Sequence, residues 1–151
     1  MSKRKKVNVG DLFSLKSDSG FIILQFYNIG VSDIEMVKIF ENIYKKIPDN
    51  LDVLLKEDFF LVQFLLKYAF KLKEIKKIGH LGLKKNPVPK YMRTYSIHDD
   101  YKWSIVEVET LKRKNTNKLT SKEKKLSPYG VWNLEYIRQK MENGFKLSEW
   151  V

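Results

Sequence analysis

Residues with the chemistry for catalysis are few in this sequence. It contains no cysteine, so a disulfide, a zinc thiolate and a thiol nucleophile are all excluded. Its only histidines are His80 and His98. His98-Asp99-Asp100 sets an imidazole beside two carboxylates, the types used for metal binding or acid–base transfer. A zinc site needs three or four convergent ligands, and a single histidine stands nearby, so the tripeptide reads as an exposed hairpin turn. His80, between Gly79 and Gly82, reads as structural or solvent-exposed. Glu107 and Glu109 lie two apart on a predicted strand and would share a face, as paired carboxylates do in glycoside chemistry. Nothing else marks a sugar site, and like charges on a solvated face are the simpler reading. No serine sits in a G-x-S-x-G elbow. The seven glycines are scattered at turns and form no phosphate-cradling loop. The expectation is a protein that is not an enzyme and holds no metal or cofactor.

The sequence is rich in charge instead. Lys and Arg number 29 against 18 Asp and Glu, for a net charge of +11. A charge of this size speaks of solubility and partners, not of fold. Its distribution is blocky: −3 over residues 33–62, +8 over 63–98, −3 over 99–110 and +6 over 111–131. Lys67, Lys71 and Lys73, with Lys76, Lys77, Tyr68 and Phe70, make one candidate basic and aromatic surface for nucleic acid. Lys112-Arg113-Lys114 and Lys122 to Lys125 make others. The same lysines suit an acidic protein partner equally well. The acidic candidates for a partner-binding patch are Asp99, Asp100, Glu107 and Glu109, and separately Asp49, Asp52, Glu57 and Asp58. Trp132, Tyr136, Phe145 and Trp150 are of the type that anchors interfaces. Their spacing around one helix favours core packing.

The elements that must position these residues follow from pattern. With 151 residues the chain has the size of one domain. We read residues 1–8 as a basic arm and 9–151 as the domain. Strands are expected over Leu12–Leu15 and Phe21–Ile29, joined by a Ser/Asp/Gly turn into a hairpin. A strand is expected over Ile34–Ile43, and a short helical turn at Leu51–Leu55 after the break at Pro48-Asp49-Asn50. Residues 59–78 remain open. Leu61, Leu65, Tyr68, Leu72 and Ile75 have amphipathic-helix spacing, while 59–66 also suits a buried strand; Gly79 and Gly82 end the segment in either case. A second hairpin is expected from Tyr91–Ile97 and Trp103–Val108. Lys112–Lys125 reads as an exposed loop. Asn133 is an N-cap for a helix over Leu134–Asn143, with Leu134, Ile137, Arg138 and Met141 on one face and Gly144 as its stop. The whole is α+β: a twisted antiparallel, barrel-like sheet with a C-terminal helix packed on it. The basic start lacks the apolar stretch of a signal peptide, and no segment reaches the ~20 apolar residues of a membrane span. A cytoplasmic protein is the expectation.

Several short motifs together resemble the immunity protein 26 family. They are Lys6-Val7-Asn8-Val9-Gly10-Asp11-Leu12-Phe13 followed by Gly20-Phe21, and Tyr129-Gly130-Val131-Trp132-Asn133-Leu134-Glu135-Tyr136-Ile137-Arg138 followed by Asn143-Gly144-Phe145 and Trp150. Ile78-Gly79, Leu83 and Pro87-Val88-Pro89 agree more loosely. Segment 63–78 is richer in lysine than the family pattern. The resemblance implies a bacterial immunity protein that neutralises a cognate toxin by occlusion, with no catalytic residues. A basic nucleic-acid-binding or regulatory module is the alternative.

Overall fold

The computed structural model describes residues 6–151. Strands β1 (Asp11–Ser17) and β2 (Gly20–Ile29) form the expected hairpin. Gly20 is required there: φ is +141°, and a Cβ would meet the Tyr44 carbonyl oxygen at 2.3 Å. With β3 (Glu35–Phe40), β4 (Phe59–Gln63) and β5 (Lys76–His80) they make a five-stranded antiparallel sheet in the order β4-β3-β2-β1-β5. A second sheet, β6-β7-β8, comprises β6 (Tyr91–Tyr95), β7 (Trp103–Glu107) and β8 (Arg113–Thr116). The helices are α1 (Leu66–Lys71) and α2 (Leu134–Glu142).

The large sheet is covered on both faces, which is why its strands read as apolar runs. Register aligns Phe13, Leu24, Ile39 and Phe60 in one row across four strands, with Phe26, Val37 and Val62 in the next. These rows pack with Leu66 and Ala69 of α1, Ile137 and Met141 of α2, and Trp132. On the opposite face, Leu12, Ile23 and Phe40 pack with Leu54 of a 3-10 turn at Leu51–Lys56. Farther along that face, Tyr27, Met36 and Leu61 pack with Met92 of the small sheet.

The two sheets are laced together by residues 127–132. The Leu61 N–H donates to Ser127 Oγ, the Gln63 N–H to Gly130 O and the Trp132 N–H to Gln63 O on the β4 side. On the β6 side the Arg93 N–H donates to Ser127 O and the Tyr129 N–H to Arg93 O. One extended segment thus occupies the free edges of both sheets, removing two unpaired strand edges at once.

The α+β class, the first hairpin, the 51–55 turn and α2 all appear as expected. Asn133 caps α2 by accepting the Tyr136 N–H at 2.8 Å, and Gly144 follows the helix with φ +77°. Other expectations are corrected. The strands fall into two sheets, and β4 and β5 at the ends of the large one do not pair with each other. Residues 59–78 run β4, α1, β5: the buried-strand alternative for 59–66 holds over Phe59–Gln63, and the helical spacing is not realised as one helix. Gly79 lies inside β5, facing Leu51 so closely that a Cβ would meet its Cδ1 at 2.5 Å. The 112–125 segment is not simply a loop, since it contains β8 and a 3-10 turn at Glu123–Lys125. Of the N-terminal arm, residues 1–5 lie outside the described residues. Val7 packs against the main core, and the Asn8 N–H donates to Asp11 Oδ2.

Candidate functional site

Of the acidic candidates, Asp49, Asp52, Glu57 and Asp58 lie around the 3-10 turn at Leu51–Lys56, whereas Asp99, Asp100, Glu107 and Glu109 do not converge. Asp99 and Asp100 are exposed in the turn before β7, where Asp100 O accepts from the Asn117 side chain. Glu107 ends β7, and its carboxylate accepts the Thr110 hydroxyl at 2.9 Å. Glu109 is exposed in the following turn and not on the strand, so it shares no strand face with Glu107. The pairs Asp99/Asp100 and Glu107/Glu109 therefore sit at opposite ends of β7, roughly 17 Å apart for five residues of strand. His98 stands alone in its turn. Among the described residues no group of three His, Cys, Asp or Glu could hold a metal ion.

The basic candidates come closer together. Lys67 and Lys71 are exposed one turn apart on α1, and Lys73 follows in a left-handed conformation at φ 60°. The helix starts without a side-chain cap from its own N-terminal residue, Leu65. Buried Glu35 takes that role, accepting the Lys67 N–H at 2.9 Å. Phe70 packs edge-on against Phe13 in the core and is not a stacking platform. Leu65, Tyr68 and Leu72 are 49%, 59% and 50% exposed. The apolar stripe that sequence spacing assigns to the core is therefore the outward face of α1, while Leu66 and Ala69 face in. The other basic runs, Lys112-Arg113-Lys114 and Lys122, line one cleft of about 630 Å³ beside the small sheet.

Two charged clusters escaped the sequence reading. Asp11 is 2% exposed; its carboxylate meets His80 Nδ1 at 2.9 Å and Lys77 Nζ at 3.1 Å and accepts the Asn8 N–H. Burial would raise this carboxyl, but the Asn8, His80 and Lys77 hydrogen bonds outweigh burial and hold it below the usual carboxylate range. His80 is thus tied to a structural ion pair at the β1–β5 edge. The cue for that cluster was slight: an Asp at the first position of a strand.

Arg93, in the middle of β6, is fully buried. Nε donates to Leu126 O and Nη2 to Lys124 O, both at 2.9 Å, Nη2 also to Leu147 O at 3.2 Å, and Nη1 to Trp150 O. Its guanidinium lies 5.2 Å from the Trp103 ring centre and 4.5 Å from that of Trp150. Burial pushes its pKa down to about 10, which leaves it charged at neutral pH. No carboxylate pairs with it: the positive charge is met by main-chain carbonyls and two indole faces. The signal was the alternation Tyr91, Arg93, Tyr95, which puts an arginine in an aromatic row. Around it Tyr95 stacks on Trp103, and the Trp150 indole N–H donates to the Tyr95 hydroxyl at 2.8 Å. Trp132 and Phe145 pack with Phe60. Trp103, Trp132 and Phe60 are buried, Phe145 and Trp150 half-buried against them and Tyr95 exposed at the rim; Tyr136, at 40%, is the exposed one among the four anchor candidates. No protein-family model, curated protein or solved structure matches this chain.

Proposed function

We propose that this protein is an immunity protein that binds a cognate bacterial toxin in the cytoplasm and neutralises it by occlusion, with the outward face of α1 as the contact. The observation that carries the choice of surface is the exposed stripe of Leu65, Tyr68 and Leu72, set beside Lys67, Lys71 and Lys73. An apolar centre with a charged rim is the make-up of a protein interface. The lysines favour an acidic partner and would speed its association. For docking a basic toxin, the carboxylates of 99–109 are split between the two ends of β7, while Asp49, Asp52 and Asp58 stay exposed around the 51–56 turn, away from this apolar stripe. Two antiparallel sheets laced by residues 127–132 are the scaffold that would present this face for occlusion. The resemblance at both ends of the chain supplies the word immunity.

The test is co-expression with the product of the neighbouring gene. The two proteins should co-purify, and growth should be rescued. Tyr68→Ala combined with Leu65→Ser should abolish both while leaving the fold intact by circular dichroism. Lys67→Glu with Lys71→Glu should slow association most at low salt. Rescue that survives all of these changes would place the interface elsewhere. A toxic neighbour that this protein neither binds nor counters would end the immunity reading. A complex with DNA or RNA that persists at physiological salt would favour the nucleic-acid module instead.

A further inference from the structure

The small sheet leaves half of one face uncovered. Strand alternation puts Tyr91, Arg93, Tyr95, Trp103, Ile105, Glu107 and Lys114 on the same side, with Ile105 directly opposite Lys114. At the Trp103 end this face is closed by Leu119, Leu126 and Trp150. At the Tyr91 end it opens into the cleft of about 630 Å³, within the ~300–1,000 Å³ typical of small-molecule sites. The apolar part is Tyr91, Ile105 and Leu126; the charged part is Lys112, Arg113, Lys114 and Lys122 with Glu107 and Glu123.

The wall of the cleft is built to stay in place. Thr120 and Glu123 exchange hydrogen bonds: the Thr120 N–H donates to Glu123 Oε1 at 2.9 Å, and the Glu123 N–H donates to Thr120 Oγ1 at 3.2 Å. This is a capping box at the start of the 3-10 turn. Lys114 Nζ reaches Glu123 Oε2 at 2.8 Å and ties the wall to β8. Arg93 holds the carbonyls of Lys124 and Leu126 from behind. A wall fixed in this way lowers the ordering cost of binding.

The charges decide what fits. Lys114 and Glu123 satisfy each other, and Arg113 lies over the Tyr129 ring at 5.5 Å. Lys112 and Lys122 have no ion-pair partner among the described residues. The single further carboxylate, Glu107, already accepts from Thr110. We propose that this cleft binds a small phosphate monoester with a planar apolar body, of mononucleotide size. The body lies against Tyr91, Ile105 and Leu126, and the dianionic phosphate meets Lys112 and Lys122. With four cations against two carboxylates the lining carries a net +2, which matches a dianion better than a monocarboxylate. The assignment does not depend on the toxin reading, because the cleft and α1 involve different residues.

The experiment is calorimetric titration of the full chain, at low salt, with AMP, adenosine and inorganic phosphate in separate arms. AMP should bind saturably and about tenfold or more tighter than either fragment. Lys112→Glu with Lys122→Glu should weaken AMP about tenfold or more, and Tyr91→Ala should weaken it severalfold. Lys67→Glu, on α1, should leave AMP binding unchanged. Thermal melts of each variant separate loss of binding from loss of fold, and exposed lysines tolerate reversal. Amide shifts in the NMR spectrum on adding AMP should cluster at residues of the cleft. The proposal fails if AMP shows no saturation up to about 10 mM, or if the double lysine variant binds it as well as the parent does. It fails also if a single-stranded oligonucleotide binds far more tightly than AMP with a steep salt slope, which would make the cleft part of a nucleic-acid track.

Discussion

The two halves of this molecule hold themselves together by different means. The five-stranded half has an apolar interior in which rows such as Phe13-Leu24-Ile39-Phe60 repeat across strands under two helices. The three-stranded half has a buried cation at its centre, clasped by two tryptophans and four main-chain carbonyls. On this face the small sheet buries Trp103 and most of Ile105, with Leu119 packed on them, too little to order the long segments 117–127 and 146–151 by burial alone. A guanidinium with five donors in a fixed fork does what apolar area cannot: it fixes several chain segments at one point. In a large core, many small contacts are interchangeable. In a small one, a single group is not.

The sharpest way to break this comparison is Arg93→Met. Replacing a buried ion pair by apolar groups is often harmless, because both charges leave together. Here the partners are carbonyls, which cannot be mutated away and would be stranded. The expected loss is roughly 3–5 kcal/mol of stability, measured by urea denaturation. Hydrogen exchange should show protection lost first in β6–β8 and not in β1–β4. Arg93→Lys should recover less than half, because one ammonium cannot span the fork's contacts. A methionine variant within about 1 kcal/mol of the parent would mean that the clamp is decoration.

The same contrast explains what the sequence reveals. The five-stranded half is legible because burial on both faces leaves long apolar runs, and because its turns carry the residues turns need, such as Gly20. In the small half the β6–β7 hairpin was legible from its alternation, but β8 and the buried arginine were not. β8 is Arg-Lys-Asn-Thr, an edge strand whose only partner is the β7 backbone, and lysine on an edge is how sheets avoid further pairing. Arg93 reads as a surface residue of an alternating strand until the C-terminal segment is seen folding over it. For α1, the spacing of Leu65, Tyr68 and Leu72 was legible but its direction was not, since a helix of six residues between two strands has its inner face set by the sheet and not by its own periodicity. The 99–109 acidic patch is split for a geometric reason: its two pairs lie at opposite ends of β7.

A conservative change in the large half should be mild by comparison. Ile39 is fully buried, and Ile39→Val removes one methylene from the row that crosses β1–β4. The expected cost is about 1 kcal/mol, with no change in the denaturant slope. A loss as large as that of Arg93→Lys would show that the large core is no more forgiving than the small one, and the contrast would collapse.

The smallest effect sharpens what the halves have in common. Each contains one buried carboxylate tied to a lysine: Asp11 to Lys77 at the β1–β5 edge, and Glu123 to Lys114 beside β8. Burial alone would raise both. For Asp11 it is outweighed by the bonds from Asn8, His80 and Lys77; for Glu123 it is outweighed by those from Lys114 and Thr120. Both end below their ordinary values. A carboxyl whose pKa is lower folded than unfolded binds fewer protons in the folded state. Its contribution is therefore fully present above the unfolded value, near ~4, and is lost as pH falls through the folded value. Stability should thus decline below about pH 4 from both halves at once. Asp11→Asn and Glu123→Gln should each flatten part of that acid limb while costing about 1 kcal/mol at neutral pH, since Lys77 is partly and Lys114 largely exposed and water screens them. Urea titrations at several pH values read the limb directly. If the double variant keeps the full acid dependence of the parent, these two carboxylates are not the groups that protonate on unfolding.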